Sequence, residues 1–139
     1  MIGLHADVTS HHNTFVGCTF SYNLFGSTGN SFIEDNLIDG QSVFNATGLK
    51  SNSDLSPWGT NTIVGHAKRN EFVNLTNGVV MQETTASRHE LVDLIIGGAP
   101  GDGNSFRNVS NLNLQLLGCD DNITATDNSW GVATTAAIE

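Results

Sequence analysis

Charge is scarce in this chain. Only 14% of its 139 residues are charged, against roughly 25% in ordinary globular domains. Lys and Arg number 5 against 14 acids, a net charge of −9. Phosphate contacts need clustered bases, so a nucleic-acid partner is not expected, nor is an anionic membrane surface. The acidity favours solubility and neutral or cationic partners. No stretch approaches the ~20 apolar residues of a membrane helix, so membrane insertion is not expected. Met1-Ile2-Gly3-Leu4-His5-Ala6-Asp7 lacks the basic head and apolar run of a signal peptide. Sustained 3.6-residue spacing with a capping box is also missing, which argues against helices. There are only 2 prolines but 15 glycines, a balance that suits tight turns between short strands.

What the chain does contain is an asparagine template. Asn70-Glu71-Phe72-Val73-Asn74-Leu75-Thr76-Asn77 and Asn104-Ser105-Phe106-Arg107-Asn108-Val109-Ser110-Asn111 share the order Asn, any, Phe, any, Asn, aliphatic, hydroxyl, Asn. Looser copies start at Asn13, Asn30, Asn61 and His89. One short pattern recurring along a chain implies stacked units, each packing on its neighbours. Regular Phe, Ile, Leu and Val positions also argue against disorder. A second strand type alternates with the template: Thr47-Gly48-Leu49-Lys50-Ser51, Asn77-Gly78-Val79-Val80-Met81-Gln82 and Asn111-Leu112-Asn113-Leu114-Gln115-Leu116. The last has strict period-2 alternation, which points its leucines to one face.

The expected architecture is one all-β domain over residues 1–139, a single-stranded solenoid of about six to seven coils. Approximate coils are 4–21, 22–40, 41–76, 77–97, 98–110 and 111–131. The third is too long for one turn, so either Ser51 to Thr60 is an inserted loop or the stretch holds two coils. Phe15, Phe32, Phe72, Leu91 and Phe106 are expected to stack as a column inside the tube. Asn13, Asn30, Asn70, Asn74, Asn104 and Asn108 are expected at bends, because Asn tolerates left-handed backbone angles. Their stacked amides would form a hydrogen-bonded ladder. Cys18 and Cys119 fall several coils apart. With coils about 4.8 Å apart and a disulfide reach of roughly 7 Å, two free, mostly buried thiols are expected.

The repeated Asn-x-Phe/Ile with a second Asn or Asp, alternating with Gly-aliphatic strands, resembles the right-handed parallel β-helix proteins of the pectate-lyase-like superfamily. Thr126-Asp127-Asn128-Ser129-Trp130-Gly131-Val132 is similar to an Asn-x-Trp-Gly motif that closes such helices. The resemblance implies that Trp130 caps the last coil and that a short helix follows. It also implies an N-terminal capping helix, of which Leu4 and the residues before it show no sign. Bare ends would expose unpaired strands and invite stacking. The chain is therefore expected to be a fragment of a larger polypeptide or an assembly subunit that meets other copies through its ends or sides.

Candidate chemistry is thin. Enzymes of this kind resemble one another in using a carboxylate cluster, often with calcium, plus a Lys or Arg that takes a proton. Lys68-Arg69 after His66 is the only basic cluster, and it could face an anionic sugar with Asp35 or Asp39 from a neighbouring coil. The plainer reading is a solvated turn. No carboxylate row repeats in register, so no cofactor is expected, calcium being the one the resemblance would allow. Asp102 in Gly101-Asp102-Gly103-Asn104 lacks the further acids of a calcium loop. His11-His12 could ligate a metal with His5, but neighbouring strand residues point to opposite faces. Asp93 and the Asp120-Asp121-Asp127 group read as turn acids. Trp58, in the expected insertion, could stack on a sugar ring. Glycosylation sequons fall at Asn45, Asn74, Asn108 and Asn122. Asn74 and Asn108 should point inward, which leaves Asn45 the best acceptor.

Function is therefore expected to be that of a non-catalytic extracellular or surface module, structural, adhesive or self-assembling, with polysaccharide contact. The first alternative is part of a carbohydrate-active enzyme (lyase, epimerase or hydrolase), with its site near Asp35, Asp39, His66, Lys68 and Arg69. An outward column of two acids and one base within about 6 Å would favour it. The second alternative is a phage tail spike or fibre segment. All three place the chain outside the cell or on a particle, by resemblance.

Overall fold

Closely spaced turn residues leave room only for short strands, and strands of two to seven residues are what form. The computed structural model describes residues 2–3, 8–25, 30–53, 63–83, 92–118 and 123–131. Among them are thirteen strands and no helix. In chain order these are β1 (Ile2–Gly3), β2 (Val8–His11), β3 (Thr14–Val16), β4 (Phe20–Phe25), β5 (Asn30–Glu34), β6 (Leu37–Asp39) and β7 (Thr47–Ser53). They continue as β8 (Ile63–Lys68), β9 (Glu71–Val73), β10 (Asn77–Glu83), β11 (Val92–Ile96), β12 (Ser105–Arg107) and β13 (Leu112–Leu117).

Each strand pairs in parallel with the strand three places along the chain. The result is three sheets, β1-β4-β7-β10-β13, β2-β5-β8-β11 and β3-β6-β9-β12. Consecutive strands such as β8, β9 and β10 thus belong to three different sheets. This all-parallel arrangement is compatible with a β-solenoid. The stretch 41–76 holds one strand of each sheet, β7, β8 and β9, among its described residues. Most of Ser51–Thr60, with Trp58, also lies outside the described residues, as do His5, Leu91, Cys119, Asp120, Asp121 and Asn122. Cys18 is a free, half-buried thiol.

The interior is one apolar column per sheet. In the β3-β6-β9-β12 sheet, Phe15, Ile38, Phe72 and Phe106 occupy one register position. Phe72 and Phe106 are fully buried, with centroids 4.8 Å apart and planes 5° from parallel. That spacing is set by the ~4.8 Å between strands. Trp130 continues the stack over Phe106 at 5.0 Å. Gly48 and Gly78 make room for these rings, since a Cβ there would lie 2.5 and 2.6 Å from Phe72 and Phe106. The second strand type also stacks in register, with Tyr22, Leu49, Val79 and Leu114 aligned.

The asparagine ladder runs through Asn13, Asn36, Asn70, Asn104 and Asn128. In each step both the backbone N–H and the Nδ2 of one Asn donate to Oδ1 of the next. For Asn36 onto Asn70 these distances are 3.0 and 2.9 Å, and for Asn70 onto Asn104 they are 2.9 and 3.0 Å. Asn104 bonds Asn128, and Asn13 bonds Asn36, in the same way. Two expectations need correction. Asn30 is not a rung: it pairs with Val64 in the sheet of β5 and β8. Phe32 is not in the column: it lies beside Thr9 and His66 on the outer face of that sheet, 36% exposed. Asn36 and Ile38 take those places. The left-handed residue is also the one before the rung, at His12, Asp35, Arg69 and Asp127.

Asn74 and Asn108 do adopt left-handed angles, at the next corner. They form a separate ladder, Asn108 Nδ2 to Asn74 Oδ1 at 3.2 Å and Asn74 Nδ2 to Asp39 Oδ1 at 3.0 Å. Asn108 is exposed, contrary to the inward orientation expected of it, and Asn45 is exposed too.

Candidate functional site

The charged side chains gather at the corner that joins the β2-β5-β8-β11 sheet to the ladder. Alternation on β5 and β8 buries Ser31, Ile33 and Ala67 and turns Phe32, Glu34, His66 and Lys68 outward. The bends after these strands then project Asp35 and Arg69, each in the left-handed region. Backbone N–H groups stitch this corner, Asp35 to Lys68 O at 3.1 Å and Arg69 to Asp102 O at 3.0 Å. Three successive rounds thus present Asp35, Arg69 and Asp102 side by side.

Arg69 is the hub. Its Nε and Nη2 form a fork on Asp35 at 2.8 and 3.0 Å. Nη2 also reaches Glu34 at 3.0 Å, and Nη1 reaches Asp102 at 3.1 Å. Lys68 Nζ sits 2.8 Å from the other oxygen of Asp102. His66 Nε2 meets Glu34 Oε1, and its ring lies 4.8 Å from that of Phe32. The hydrogen bonds from Arg69 hold Asp35 below the usual carboxylate range, and Lys68 does the same for Asp102. Asp35 in turn raises the Arg69 guanidinium further above its already high value.

Of the residues the sequence nominated, Asp35, His66, Lys68 and Arg69 therefore come together. Asp39 does not: it sits at the Asn74 corner, where Asn74 Nδ2 and the Gln41 N–H hold its carboxyl low. Glu34 and Asp102 complete the cluster. Asp102, weighed as a calcium-loop acid, is instead neutralised by two cations. His11 and His12 do not point to opposite faces. The left-handed bend at His12 brings their Nδ1 atoms to 3.0 Å. Among the described residues, no group of three or more His, Cys, Asp or Glu could hold a metal.

Chemically, the cluster is an ion-pair network rather than a poised acid and base. A guanidinium this strongly paired keeps its proton, so Arg69 cannot act as a general base. It can link three rounds of the fold and resist their slipping past one another. The column of two acids and one base within about 6 Å, the arrangement that favours the enzyme reading, is present as Asp35, Arg69 and Asp102.

No protein-family model, no curated protein and no solved structure matches the chain.

Proposed function

We propose that this chain is a non-catalytic right-handed β-helix module of the pectate-lyase-like kind. It would work outside the cell or on a particle surface as a structural, adhesive or self-assembling element that contacts polysaccharide. The observation that supports this reading is the saturation of the charged cluster. Glu34, Asp35 and Asp102 are turned onto Arg69, Lys68 and His66, so the acids and bases that catalysis would need are spent on holding successive rounds together. Two amide ladders, one at this same corner and one at the next, serve the same end. Stiffness along the stack is what such a design delivers.

One observation favours a second reading, an enzyme acting on carbohydrate. Asp35, Arg69 and Asp102 are contiguous and face outward, with Phe32 and His66 beside them. A bound uronate could compete for Arg69 and release a carboxylate.

Light scattering with electron microscopy of the same sample tests the first reading, followed by incubation with neutral and acidic polysaccharides. Filaments or defined oligomers and intact polysaccharide are expected. Release of reducing ends or unsaturated uronates, abolished by Arg69→Gln, would replace the module with the enzyme.

A further inference from the structure

Phe44 is the most exposed large apolar side chain among the described residues, at 85%. A lone partly exposed apolar residue needs no explanation, but this one is presented by a rigid turn. Gly40 and Ala46 on either side are buried, and Val43 packs against the core. The Gly40 N–H donates to Val73 O at 2.9 Å, Ser42 N–H to Asn74 O at 3.1 Å, and Ala46 N–H to Val43 O at 3.1 Å. Gln41, Ser42 and Asn45 are all held in the left-handed region, at φ 48, 58 and 58°. This pinned turn carries Phe44 away from the core.

Beside Phe44 lies a pocket of about 220 Å³, room for about seven waters at ~30 Å³ each. Its polar lining comes from Ser42, Asn74, Thr76, Asn108 and Ser110, and no lining side chain is charged. The Asn108–Asn74–Asp39 chain points its donors toward Asp39. Asn108 lines the pocket, and its Oδ1 has no protein donor among the described residues. The hydroxyls of Ser42, Thr76 and Ser110 likewise have no side-chain partner among them.

We propose that this turn and pocket form a subsite for one neutral sugar unit, its apolar ring face stacked on Phe44 and its hydroxyls bonded to Asn108, Ser110 and Thr76. The lining selects that chemistry. A charged ligand would find no counter-charge, and a wholly apolar one would strand the amide and hydroxyl groups. A pyranose has one C–H face for the aromatic ring and a rim of donors and acceptors for the rest. The subsite deepens the module reading and rests only on its carbohydrate contact. It lies at a different corner from the charged cluster.

The test is a titration of ¹⁵N-labelled chain with glucose, galactose and mannose and their neutral oligomers, followed by backbone amide shifts. At least one sugar should give saturable shifts centred on 42–46, 74–76 and 108–110. Phe44→Ala should weaken binding at least tenfold while leaving the other amides in place. Leu116→Ala, an exposed residue of β13 away from both the turn and the charged corner, should leave the affinity unchanged. Silence from every sugar up to its solubility limit would overturn the proposal, as would shifts that persist in Phe44→Ala. An oligomer that Phe44→Ala dissolves, with no sugar binding, would assign the turn to a second copy instead. Cleavage of a bound oligomer would remove the non-catalytic reading and leave the subsite standing. Assembly without sugar binding would remove the subsite alone.

Discussion

Replacing Asn70 by Ala should be among the most damaging single changes in this chain. Asn70 is buried, and its side chain makes four hydrogen bonds. Nδ2 donates to Ile33 O at 2.8 Å and to Asn104 Oδ1 at 3.0 Å; Oδ1 accepts from the Asn36 N–H and Nδ2. Truncation leaves two of these partners in difficulty. The Asn36 N–H loses its acceptor inside the fold, and Ile33 O loses the amide that covered it. Asn36 Nδ2 keeps Ser10 O, and Asn104 Oδ1 keeps the Asn70 N–H. Two stranded buried groups at ~1–3 kcal/mol each give a cost of about 4 kcal/mol. That is about a thousandfold in the folding equilibrium and a large share of a typical domain's 5–15 kcal/mol. Urea unfolding followed by circular dichroism reads the change as a lower midpoint. Asn108→Ala is the control, since Asn108 is exposed and donates one bond at 3.2 Å; it should cost under ~1 kcal/mol. Asn70→Asp should be at least as harmful as Ala near neutral pH, because a carboxylate oxygen would then face Ile33 O and Asn104 Oδ1. If Asn70→Ala and Asn108→Ala proved equally mild, the ladder would not be holding the rounds together and the reasoning would fail.

Gly48→Ala should cost about 1–3 kcal/mol by overpacking Phe72, whereas Gly101→Ala, with nothing within 4 Å but a φ of 88°, should cost only backbone strain; melting curves of the two variants rank them, and the reverse order would count against the ring-and-glycine stack. Asp35, Asp39 and Asp102 all sit below their ordinary value of 3.8 in the folded state. A depressed folded value adds stability above the unfolded value and loses it as pH falls through the folded one, so thermal stability should decline below about pH 4. A flat profile from pH 5 to 3 would contradict this. Arg69→Gln should remove the Asp35 share of that decline and, by leaving Asp35 without its cation and Asp102 with Lys68 alone, should destabilise more in low salt than in high salt; a salt-independent effect would show that the cluster acts through packing.

The sequence alone was enough for the all-β class and for the two strand types. Period-2 alternation in Leu112–Leu116 and the paired templates at Asn70 and Asn104 are local signals that need no partner to be read. The third rung was also available. Counting back 34 residues from Asn70, the separation of Asn70 and Asn104, lands on Asn36, followed by Leu37 and Ile38. Asn30-Ser31-Phe32 hid it, because it copies the template more literally. Phe matched to Phe by identity, while the fold required only an apolar group in that slot, and Ile38 supplied it.

The charged corner was legible only in outline. Lys68-Arg69 near Asp35 stood out as residue types. Which acid each base would meet depended on register across strands, and a shift of one residue turns every side chain to the opposite face. Asp39 closes β6 at the next corner, whereas Asp102 stands 34 residues after Lys68, the separation of Asn70 and Asn104, so its place beside Lys68 was available in the sequence. The His11–His12 contact depended on one backbone bend, and the presentation of Phe44 on three left-handed residues. Periodicity in a chain reports which side chains prefer burial. Which outward side chains become neighbours is set by where successive rounds are cut and how each corner bends, and those are properties of the stacked structure alone.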